Sequence, residues 1–138
     1  MKKTPIRRGE KRTFWTEFIF WLHLPIVIIW FGAFLIPFSL WSQRITFHFW
    51  YILILVSLQL LWGIILYSKT KRVDFICPLT TLLQYLRGYP INSKKNYNHS
   101  FVAELLERFN ITLSFQGVEI LLGITIVIVT IQYFWFRW

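Results

Sequence analysis

Three apolar stretches, at 18–38, 47–67 and 111–136, fill most of this 138-residue chain, and the charged residues lie almost wholly outside them. A helix needs roughly 20 apolar residues to cross about 30 Å of hydrocarbon. Each stretch meets that length. Lipid offers the backbone no hydrogen bonds, so a spanning segment must be a helix or part of a closed barrel. None of the three alternates with period two, as a barrel strand would. The sequence therefore predicts an all-α integral membrane fold with three transmembrane helices. It divides a single membrane domain, 1–138, into a basic cytoplasmic N-terminus (1–13), span one (14–39), span two (46–67), a cytoplasmic interfacial segment (68–110) and span three (111–136).

Apolar residues make up 56% of the chain and charged residues 15%, a balance extreme for a water-soluble domain. The net charge of +9 invites a nucleic-acid reading. The placement of the charge argues instead for membrane orientation and no nucleic-acid partner. Lys2, Lys3, Arg7, Arg8, Lys11 and Arg12 precede span one, and Lys69, Lys71, Arg72, Arg87, Lys94, Lys95 and Arg108 lie between spans two and three. The other loop holds only Arg44, and the C-terminus only Arg137. Short loops rich in Lys and Arg stay cytoplasmic, so the N-terminus is expected inside and the C-terminus outside. The basic rim should attract anionic lipid headgroups.

The segment 68–110 is too long for a plain connector. Two short amphipathic interfacial helices are expected in it. One begins at Pro78, with Leu79, Leu82, Leu83 and Leu86 on a stripe, and ends before Gly88 and Pro90. The other has Ser100 as N-cap and can pair Glu104 with Arg108 at i, i+4. They are expected along the inner surface or docked under the bundle.

Ionisable residues inside spans are costly and point to function. Counted along the apolar stretches, His23, Gln59 and Glu119 fall at one depth on three helices, with Gln116 one turn from Glu119. One reading makes this layer interhelical hydrogen-bonded glue. The other makes it a site for proton handling or for a polar headgroup. The single cysteine, Cys77, rules out an intramolecular disulfide and a Cys-x-x-Cys pair. No cofactor and no metal site is expected.

The run Cys77-Pro78-Leu79-Thr80, with Leu86-Arg87-Gly88, His23-Leu24 and Ser100-Phe101-Val102, resembles the domain-of-unknown-function family 2784 over about residues 20–135. That family comprises small, mostly bacterial, multi-span membrane proteins. The resemblance implies His23, Gln59, Cys77, Pro78, Thr80 and Arg87 as signature positions and a bacterial cytoplasmic membrane as location. It departs at Leu83, where the family usually has an acidic residue. It implies no activity.

Nothing in the sequence assembles a nucleophile, base and oxyanion site. The expected function is a non-enzymatic accessory or structural component that binds other membrane proteins or lipid. The alternative is a membrane enzyme or proton-coupled factor using the His/Gln/Glu layer.

Overall fold

The computed structural model describes residues 13–94 and 98–136. The basic residues at 2–12, Lys95, Arg137 and Trp138 lie outside them. The chain is all-helical among the described residues, in the order α1 (Phe14–Gly32), α2 (Arg44–Thr70), α3 (Pro78–Leu86), α4 (Phe101–Arg108) and α5 (Phe115–Phe136). A single 3-10 turn, Ala33–Leu35, extends α1. Three helices are long and apolar enough to cross a membrane, over Phe14–Leu35, Arg44–Thr70 and Phe115–Trp135. The two short helices α3 and α4 lie between the second and third, where the sequence predicts them.

Local chemistry sets the helix ends. Thr13 and Thr16 form a reciprocal cap at the start of α1, each side-chain oxygen accepting from the other's backbone N–H. Lys71, at φ 57°, ends α2 in the left-handed conformation. Gly88, at φ 88°, takes the same region after α3. Ser100 caps α4, its hydroxyl accepting from the amide of Ala103. Asn110, at φ 60°, turns the chain, and residues 111–114 are not helical. The last span therefore begins at Phe115, four residues later than the apolar pattern implies.

α1 and α5 start at the same end, called proximal below, because Arg108 just before α5 reaches Glu17 in the first turn of α1. α2 runs the opposite way. In the distal half, Trp30, Ile52 and Val129 from the three long helices form a core. Phe49 stacks on Tyr133 at 4.0 Å between ring centroids. Arg44, the lone base of its loop, donates to the carbonyls of Phe34 and Ile36 where α1 ends. A second core, Ile19, Phe20, Leu83 and Phe101, joins α1, α3 and α4 in the proximal half.

One glycine decides where that second core sits. A Cβ at Gly63 would collide with the backbone carbonyl of Asp74. After Lys71 the chain thus doubles back along α2, and Asp74 passes the helix seven residues, about 10 Å, before its end. This return carries the start of α3 up to the level of His23 on α1. Trp62 then holds it, its Nε1–H donating to the Thr81 hydroxyl at 3.1 Å.

Candidate functional site

The start of α3 and one face of α1 build a buried junction around His23, which is 4% exposed. Its Nδ1 lies 3.0 Å from the carbonyl of Ile19. A carbonyl can only accept, so Nδ1 carries a proton, and when the ring is neutral Nε2 presents a lone pair. Nε2 faces the Thr80 hydroxyl at 3.4 Å and the Cys77 thiol at 3.6 Å. Phe101 of α4 stacks on the imidazole, with centroids 4.9 Å apart and planes at 14°. The ring is thus oriented by a backbone acceptor on one edge and approached by two donors on the other. Burial pushes the Cys77 thiol up, against the pull of the Thr80 and Leu79 amides and the Thr80 hydroxyl. It rests as a neutral thiol, the form that can donate to His23.

A turn or two nearer the proximal end, charges close into a chain. Arg87 of α3 binds Glu104 of α4 through two hydrogen bonds, 2.9 and 2.7 Å. Glu104 is also met by Arg108 at 3.3 Å and by His99 at 3.3 Å. Arg108 in turn holds both carboxylate oxygens of Glu17, at 2.9 and 3.2 Å, and lies 3.6 Å above the Phe20 ring. Burial pulls the Glu104 carboxyl up, but Arg87 above all, with His99 and Arg108, outweighs it and holds the group below the usual carboxylate range. Bidentate guanidinium–carboxylate pairs of this kind fix geometry as well as charge. They lock α3, α4 and the start of α1 together.

Between the histidine and the ion pairs lies Gln84, fully buried, with neither end of its amide hydrogen-bonded among the described residues. It follows Thr80 by one turn and precedes Arg87 by another. The buried residues of α3 are therefore Thr80, Thr81, Leu83 and Gln84, with Arg87 just after its end, while Leu82 is 42% exposed. The stripe of Leu79, Leu82, Leu83 and Leu86 is thus divided, with Leu83 buried and Leu79 and Leu86 half-buried. The reason is the solvent. Leucine loses nothing by facing lipid, whereas Gln84 and Arg87 would. The spacing of Cys77, Thr80, Gln84 and Arg87 at i, i+3, i+7, i+10 was the available signal for this polar face.

The expected His23, Gln59, Gln116 and Glu119 layer does not gather around His23. Gln59 is half-buried on α2, and Gln116 and Glu119 are exposed on α5. The later start of α5 leaves Glu119 only about 6 Å along its helix, while His23 is about 13 Å along α1. In its place the junction gathers His23, Cys77, Thr80 and Arg87. Pro78 occupies the first turn of α3, and Leu79 packs against the proximal core. Among the described residues no group of three or more His, Cys, Asp or Glu side chains is placed to hold a metal ion.

Comparison with family models, curated proteins and solved structures gives no match.

Proposed function

We propose that this multi-pass membrane protein is a non-enzymatic accessory or structural component of a bacterial cytoplasmic membrane, with its N-terminus inside, binding another membrane protein or lipid. One observation carries the reading. Gln116 and Glu119 lie exposed on α5, within a 21-residue span, Phe115–Trp135, that only just matches the hydrocarbon thickness. A carboxylate there is costly against lipid tails and calls for a partner. The junction supports the same reading, because its ion pairs satisfy one another and hold helices together. Arg87 and Arg108 are engaged in those pairs, yet the basic bias of the proximal end survives without them. Exposed Lys69, Lys71 and Arg72 extend that rim toward anionic headgroups. His23, Cys77, Thr80 and Arg87, which carry the resemblance to the domain-of-unknown-function family 2784, lie around this one junction. That supports the resemblance as one of architecture.

The test is purification of the full chain in gentle detergent, with mass spectrometry of bound proteins and lipids. A protein or lipid at fixed stoichiometry, depleted by Glu119→Ala, is expected. A bare monomer in both cases would sink the reading. Cysteine labelling at 41 and 94 in intact cells checks orientation, with 41 labelled from outside and 94 protected.

A second reading, a membrane enzyme, draws on the Cys77–His23 pair. A base oriented by a third group and aimed at a nucleophile is the general pattern of covalent catalysis. Alkylation by a membrane-permeant maleimide separates the two. Reaction faster than free cysteine, slowed tenfold or more by His23→Gln, favours the enzyme. An inert thiol removes it.

A further inference from the structure

α5 presents one face to the bundle and is exposed on its other sides. Val118, Leu122, Thr125, Val129 and Tyr133 turn inward, spaced i, i+4, i+7, i+11, i+15. Gln116, Glu119, Gly123, Val127 and Thr130 share the face turned away from the bundle, at i, i+3, i+7, i+11, i+14. The first four of these are exposed. Among the described residues neither Gln116 nor Glu119 has a hydrogen-bond partner. A Cβ built on Gly123 meets no atom within 4 Å, so the chain's own packing does not demand a glycine there. An open glycine beside two polar groups, in a span, lets a second helix approach closely and bond across. Gln116, Gly123 and Thr130 recur at seven-residue spacing along this face.

We propose that this face pairs with the same face of a second copy, α5 against α5 in parallel, with Gln116 of each copy donating to Glu119 of the other. This rests on the binding role proposed above and names the partner. The argument is complementarity. Glu119 offers only acceptors and Gln116 offers two N–H donors. They are one turn apart, so a two-fold axis along the membrane normal satisfies both groups in both copies at once. Gly123, one turn further on, brings the two backbones together. A foreign helix carrying a single cation would satisfy Glu119 and leave Gln116 unpaired.

The experiment uses the full chain in native membranes with Cys77 retained, since Cys77 lies just before α3 rather than on this face. Gly123→Cys should give a covalent dimer on mild oxidation. Ile128→Cys, on another exposed side of α5, should give none, and neither should the parent chain. Adding Glu119→Ala to Gly123→Cys should cut the dimer several-fold, and adding Glu119→Gln should preserve it. Equal crosslinking at 123 and 128 would mean random collision and would overturn the pairing. So would no crosslinking at 123. In that case a different protein or lipid lost on Glu119→Ala would leave the binding role standing with another occupant. No such loss would remove both.

Discussion

The proximal junction joins α1, α3 and α4 through charges, with Arg87–Glu104 and Arg108–Glu17 pairs beside a buried histidine. Apart from the Arg44 guanidinium on the carbonyls that end α1, the distal half joins α1, α2 and α5 through neutral groups. There the Trp30 indole donates to the Thr125 hydroxyl at 2.9 Å, His48 Nε2 donates to the Trp30 carbonyl at 2.8 Å, and the Tyr51 hydroxyl donates to the Ile26 carbonyl at 2.9 Å. Both halves bury polar groups, but the consequence of losing one differs. Removing a neutral partner leaves a dipole. Removing one partner of a buried ion pair leaves a charge, which costs far more. The long helices need only weak glue once they lie in lipid. The short α3 and α4 cannot span anything, so their place depends on the charges.

The sharpest way to break the contrast is at Gly63. Gly63→Leu puts side-chain atoms where the Asp74 backbone passes, so the return strand cannot lie along α2 and the junction cannot form. A loss above about 4 kcal/mol is expected. Proteolysis in detergent should cut the 71–110 segment while the three spans stay protected. Unchanged resistance of that segment would show that the close approach is not needed.

Arg87→Ala comes next. The side chain is 4% exposed, and its removal takes from Glu104 its two shortest hydrogen bonds, leaving the longer contacts to Arg108 and His99. A loss of about 3–5 kcal/mol is expected in thermal or denaturant unfolding. Leu83→Ala, in the same helix and fully buried, should cost about 2–5 kcal/mol by cavity formation alone. If Arg87→Ala were as mild as a surface change, the ion pairs would not be what holds α3.

Acid acts on the junction through Glu104. The Glu104 carboxyl is held below its ordinary value in the folded chain. The unfolded chain therefore takes up that proton first as pH falls. The stabilisation is complete above the ordinary Glu value of about 4.3, and it is lost as pH drops through the lower folded value. Thermal unfolding followed from pH 7 to pH 3 should show the junction loosening only at the acid end. Glu104→Gln should be less stable at neutral pH and flatter across that range. An equal slope in both proteins would remove Glu104 as the cause.

The spans were readable because length and apolarity in lipid leave the chain so few options. Ser100 as a cap, the Glu104–Arg108 pair and the Pro78 helix start were also legible, since each is set within a few residues. The inner ion-pair chain was only half legible. Arg108–Glu17 joins groups 91 positions apart, and nothing local announces it. The polar layer failed for a related reason. Depth was counted from where apolarity begins at 111, but Asn110 delays the helix to Phe115. Matching depth also says nothing about which way a side chain points, and Glu119 points away from His23. In sequence Gly63 is like any small residue in a span, and only the fold brings the Asp74 backbone against it.

The smallest expected effect lies in the distal half and completes the comparison. Thr125 is buried, accepts from the Trp30 indole, and donates its own hydroxyl to the Leu122 carbonyl one turn back at 2.7 Å. Thr125→Val keeps the shape and removes the acceptor, leaving the indole N–H without its partner. Measured hydrogen bonds between spans average about 0.6 kcal/mol and reach about 1.7. A loss in that range is expected, because Ile52 and Val129 still pack around Trp30 and the spans stay confined by lipid. The same change should leave the pH response of the junction unaltered, since no charge is involved. A loss as large as that of Arg87→Ala would mean that the distal half also depends on one polar contact. The contrast between a charge-held junction and a packing-held bundle would then fail.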